Sequence, residues 1–190
     1  MRYQIAAFAD EADAAISGQI EAMRAEHISL LEIRGVDGKS VADLTVPEAK
    51  ALRARLADEG IAVWSVGSPY GKSEVTEAFG LRLDEFRHGL ELAEALGASH
   101  IRLFSFYLPR GEAPETFRDE VLDRLSRFCE AAKGSGIVLC HENEKGIYGD
   151  VAPRCAEIHR ALPELKAVFD PANFIQSGQA TLPAWELLAP

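Results

Sequence analysis

The stretch 137-IVLCHENEKGIYGD-150 begins as an apolar run and ends on His141, Glu142, Asn143 and Glu144, followed by two glycines. A short β-branched run of this kind reads as a buried strand. A strand serving the core alone has no reason to finish on carboxylates. A second run, 166-KAVFDPANF-174, behaves the same way, passing from Val168 and Phe169 to Asp170. Side chains alternate along a strand, so Val138, Cys140 and Glu142 share one face, Leu139 and His141 the other, and Val168 shares a face with Asp170. Neighbouring parallel strands lie about 4.8 Å apart. Two carboxylates ending such a pair must share a proton, repel each other or hold a cation. A hard divalent ion such as Mg²⁺ or Mn²⁺ is the simplest resolution.

The same strand-then-helix pattern extends outward from this pair. Strands are expected over 3–9, 29–34, 61–67, 100–106, 137–143 and 166–170, and helices over 12–26, 47–59, 78–96, 115–133 and 152–162. Pro47 with Glu48 and Pro114 with Glu115 suit helix first turns, and Gly60, Gly97 and Gly134 stand just past helix ends. Repeated βα units of about thirty residues imply parallel strands with right-handed crossovers. No G-x-G-x-x-G follows the first strand, where FADEADAA stands instead, and no phosphate-binding G-x-x-x-x-G-K-[ST] occurs. The expected fold is therefore α/β and barrel-like, a single domain over 1–190, with its chemistry at the C-terminal strand ends.

Composition narrows the function. The chain has 190 residues, 47% of them apolar, enough for one real core. A formal charge of −10 disfavours nucleic acid as a partner. Cys129, Cys140 and Cys155 are in no metal-binding spacing and read as reduced thiols. Asp10 and Glu11 interrupt the N-terminus too early for a secretory core, and no apolar run approaches a membrane span. A soluble, cytoplasmic protein with no membrane partner is expected.

At the C-terminal ends of the expected strands stand Glu32 and Arg34, then Gly67, Ser68 and Lys72, then Ser105, Glu142 with Asn143, and Asp170 with Asn173. Each has a plainer alternative. Glu142 and Asp170 can cap helices, Glu32 and Arg34 can pair with each other, and Asn173 can form a turn. Lys72 and Lys145 can bind a phosphate or carboxylate, or be solvated. His141, on the face away from Glu142, is expected to pack against a helix or bond a loop.

Taken in order and spacing, LLEIRG, SVGSPYGK, HENEKGIYGD and FDPANF resemble the xylose isomerase-like TIM-barrel superfamily of sugar phosphate isomerases and epimerases. The resemblance covers essentially the whole chain. It implies a (β/α)₈-type barrel, a sugar or sugar phosphate substrate, and a divalent metal (Mn²⁺, Mg²⁺ or Zn²⁺) held by Glu142 and Asp170. It also implies proton transfer beside a carbonyl with Glu142 as base. Glu32, Arg34, Lys72, Lys145 and Asn173 would then contact substrate. The family's remaining ligands, a His on strand seven and a Glu on strand eight, have no counterpart here.

A complete barrel of this type takes about 250 residues, so about six parallel strands make an incomplete one. A truncated product is the first expectation, ahead of a naturally short gene or a barrel completed by another copy. Two carboxylates should hold a metal weakly or not at all. The sheet edges left at strands one and six would need a cover, which makes a homodimer one expected partner. A non-catalytic fragment that only binds is the competing function. An apurinic-site endonuclease is a further alternative, disfavoured by the acidic charge and the lack of clustered histidines.

Overall fold

In the computed structural model, which describes residues 3–189, the six expected strands all form. They are β1 (Ala6–Ala7), β2 (Leu30–Ile33), β3 (Ala62–Gly67), β4 (His100–Leu103), β5 (Val138–Glu142) and β6 (Lys166–Val168). They are parallel and join in sequential order, β1-β2-β3-β4-β5-β6, as strict βα alternation requires. The helices are α1 (Ile16–Ala25), α2 (Val46–Asp58), α3 (Phe79–Leu96), α4 (Arg118–Ala132), α5 (Ala152–Ala161), α6 (Pro171–Gln176) and α7 (Thr181–Leu188). No helix among the described residues is long and apolar enough to cross a membrane. The chain divides into two compact units.

The first unit contains the residues up to Ser68, with Arg87–Ile101 and Gly134–Ile137. Its strands pair Ala6 with Leu30 and Leu30 with Ala62, then slip, so that Glu32 faces Ser65 and Trp64 is the extra residue of a bulge. Helix α2 starts at a reciprocal cap: the Glu48 amide donates to Thr45 Oγ1, and the Glu48 carboxylate accepts from the Thr45 amide at 2.7 Å. A small antiparallel ladder, Gly35–Val36 against Lys39–Ser40, turns through Asp37 and Gly38, both at positive φ. Asp37 Oδ1 accepts the Ile16 amide at 2.9 Å and so caps α1 from that turn.

The second unit contains Pro69–Phe86, Arg102–Lys133 and the residues from Val138 on. Phe79, Phe86, Phe106 and Phe128 pack with ring centroids 4.5–6.0 Å apart. Arg124 lies over two of these rings, donates to the Glu77 carbonyl and pairs with Glu120 at 2.6 Å, so its charge is balanced where its stem is buried. Helices α5, α6 and α7 close around Ala152, Cys155, Phe174 and Ala184, with Phe169 and Leu188 against them.

Candidate functional site

The second unit carries Glu142 at the last position of β5, opposite Val168 of β6. Asp170 follows two residues later, so each carboxylate terminates one of two paired strands. Glu142 is 8% exposed, and its Oε2 lies 3.1 Å from Nη1 of Arg102 on β4. That oxygen nevertheless makes no well-aligned hydrogen bond. Burial pushes the Glu142 carboxyl up to about 7; Arg102 and Lys72 pull it down, while Asp170 and Glu144 add to the rise. A carboxyl balanced near neutrality can either hold or accept a proton at ordinary pH.

Around this group the loops are tied together. Lys72 Nζ pairs with Glu144 Oε2 at 2.6 Å and sits 4.3 Å above the Phe104 ring, which Arg102 also approaches, at 5.1 Å. The loop carrying Lys72 runs beside the end of β4: Phe104 donates to the Tyr70 carbonyl, Phe106 to Gly71 and Tyr107 to Ser73. Glu74 bridges to Tyr107 in parallel, and Tyr107 to Ile147 antiparallel. Phe106, fully buried, is held at a φ of 64, a left-handed conformation that is costly for a bulky side chain.

Asn143 replaces the ladder where β5 and β6 end. Its Oδ1 accepts the Asp170 amide at 2.8 Å and its Nδ2 donates to the Asp170 carbonyl at 2.9 Å. Asp170 in turn caps α6, its Oδ1 accepting from Ala172 and Asn173. Asn173 Nδ2 then donates back to the Asn143 carbonyl at 3.0 Å. The helix-capping alternative thus holds for Asp170 Oδ1, and the Asn173 amide is engaged within the protein.

His141 faces away from Glu142. Its Nε2 lies 3.0 Å from Ser105 Oγ, which also accepts the Gly149 amide, and its ring meets that of His159 on α5. Burial, reinforced by His159, lowers its pKa to about 3, so it stays neutral. Lys145 is exposed. In the first unit, Arg34 pairs with Asp10 at 2.8 Å and Glu11 at 2.5 Å, and Glu32 is half-buried on β2. Arg102 and Phe104 escape a reading confined to strand ends. The available signal was a lone arginine inside the apolar run HIRLFSF, a residue type that is rarely buried without a partner.

Among the described residues, no group of three or more His, Cys, Asp and Glu side chains is placed to hold a metal ion. The buried Glu142 Oε2 without a hydrogen bond, and the nearby Asp170 charge, fit two positions of a hard-cation shell and not a whole one. Removing Arg102 tests the balance at Glu142. In Arg102→Met the Glu142 carboxyl should move further up, because the strongest influence lowering it is gone. Carbon-13 NMR of the carboxyl across pH measures this, and an unmoved midpoint would show that the 3.1 Å contact carries no electrostatic weight.

The sequence model of the family described as xylose isomerase-like TIM barrel matches residues 26–189. No curated protein matches the sequence closely enough to count as a relative. Among solved structures, the probable 3-DHS dehydratase AsbF of Bacillus anthracis aligns with a TM-score of 0.79 at 16% identity, over 100% of this chain and 70% of that one. The IOLI protein, solved with a zinc atom, gives 0.77 at 13% identity, over 98% and 68%. A D-tagatose 3-epimerase-like protein gives 0.75 at 17% identity, over 99% and 71%. At these identities the likeness is one of fold, and this chain spans about 70% of their length. The family match extends over most of the sequence, and the strands follow one another in the parallel order such a barrel demands, so the chain belongs to the xylose isomerase-like TIM barrel family.

Proposed function

We propose that this chain carries the proton-transfer half of a sugar or sugar phosphate isomerase or epimerase site. The observation that carries the reading is Glu142, a buried carboxyl poised near neutrality at a strand end, 3.1 Å from Arg102 and within the influence of the Asp170 charge. Glu142 takes the proton from the carbon beside a carbonyl, leaving an enediolate. Returning the proton to the neighbouring carbon isomerises the sugar, and returning one to the opposite face epimerises it. Glu142 and Asp170 would be the residues to hold a divalent cation, which when bound would supply positive charge for the oxygen that becomes negative. Lys72 is the proposed anion contact, released from Glu144 when a phosphate or carboxylate arrives. Lys145, exposed after the end of β5, remains a proposed substrate contact.

One observation favours a second reading, in which the chain binds sugars without turning them over: the metal shell among the described residues is short of ligands. Proton NMR in D₂O separates the two. The chain is incubated with aldoses, ketoses and their phosphates, with and without Mn²⁺. Deuterium appearing beside the carbonyl supports proton transfer, and binding of a sugar with no exchange supports the second reading.

A further inference from the structure

The geometry points to Asn143 as a positioning residue that holds Asp170 in register with Glu142, a role that rests on the proton-transfer reading above. The β5–β6 ladder ends at the Glu142–Val168 pair. Beyond it no strand pairing fixes Asp170, and a carboxylate at a loop start would sample several positions. The Asn143 side chain supplies what the ladder stops supplying: one acceptor and one donor, presented to the amide and carbonyl of the same residue at 2.8 and 2.9 Å. Only a primary amide offers both in that spacing. The arrangement closes on itself. Asn143 holds the Asp170 backbone, the Asp170 side chain caps Ala172 and Asn173, and the Asn173 amide returns to the Asn143 carbonyl, five hydrogen bonds in one ring. Asn143 is 2% exposed and Asn173 8%, so water does not easily replace the bonds their side chains make. Glu142 immediately precedes Asn143, so the backbone that presents one carboxylate also clamps the other.

Asn143→Ala removes the clamp. Asn143→Asp keeps the size and the acceptor but sets a second acceptor against the Asp170 carbonyl, so it guards against simple loss of packing. Two measurements are made on the full chain. The first is deuterium exchange into dihydroxyacetone, resolved into kcat and KM per folded molecule. Both variants should lose about 100-fold in kcat, the scale of a misplaced catalytic group, with KM nearly unchanged. A fall in thermal midpoint with kcat intact would make Asn143 merely structural and overturn the proposal. The second is amide hydrogen exchange. At Ala172 and Asn173 it should quicken about fivefold, as expected when a helix cap loosens, while Cys140 on the ladder stays protected. Unchanged exchange at both caps overturns the proposal by itself. If the unaltered chain fails to exchange dihydroxyacetone, the proton-transfer reading is what fails for this probe, and the amide measurement alone decides whether Asn143 holds Asp170.

Discussion

Gly71→Ala should destabilise the protein by at least about 3 kcal/mol, combining a left-handed backbone cost with a steric one. Gly71 has φ +85, and a Cβ there would lie 2.0 Å from the Phe104 carbonyl oxygen and 2.6 Å from its carbon. Both are backbone atoms, so no side-chain rotation relieves the contact. Nor can the strand end retreat, because Phe104 donates to Tyr70 and Phe106 donates to Gly71 on either side of the approach. Gly38 is the control: its φ is +79, but nothing lies within 4 Å of its missing Cβ. Gly38→Ala should cost only the conformational part, about 1 kcal/mol. Urea unfolding of the two variants measures the difference. Equal losses would mean that the Lys72 loop does not press on β4 as described.

Glu142→Gln should lower turnover about 10³-fold, the range for removing a general base, in whatever sugar the D₂O screen identifies. In the unaltered protein, activity should rise with pH and level off above about 7, because only the deprotonated carboxylate accepts a proton. The same group makes a stability prediction of known sign. Its folded pKa, about 7, lies above the 4.5 of the unfolded chain. Between those values the folded state keeps a proton that the unfolded state has released, so stability falls as pH rises through that window and is flat beyond it. The full difference is on the order of 3 kcal/mol. Glutamine has no proton to lose, so the thermal midpoint of Glu142→Gln relative to the parent should be higher at pH 8 than at pH 5. A pH-independent difference between the two proteins would show that Glu142 titrates normally.

The sequence signals were strongest where a segment's own periodicity decides its structure. All six strands and the five expected helices form within their expected segments or within a residue of them, because β-branched runs and capped amphipathic segments specify themselves locally. Bounds set by partners were harder to read. The first strand was expected over 3–9, yet only Ala6 and Ala7 pair, with Leu30 and Leu31, while Tyr3 and Ile5 are exposed. Apolar content marks a strand but not where its neighbour stops. The Asp37–Gly38 turn has a hairpin signature, but strands only two residues long give it no flanking alternation. Within the site, Glu142 and Asp170 stood out as charges ending apolar runs. Arg102 did not, since its significance lies in a residue forty positions away along the chain. The Asn143–Asp170–Asn173 ring was likewise invisible, because an asparagine after a strand looks the same in sequence whether it turns the chain or clamps a neighbour.

The backbone bridges from Glu74 to Tyr107 and from Tyr107 to Ile147 bear on how such a site can be remodelled. Loops on a scaffold are usually treated as exchangeable parts, each free to change length without its neighbours. Here the segment with the left-handed Phe106 bonds to Gly71–Val75 on one side and to Gly146–Gly149 on the other, so a graft that replaces it alone leaves both neighbours without those partners. Redesigning these loops therefore means transplanting the segments around Gly71–Val75, Phe104–Leu108 and Gly146–Gly149 as a set.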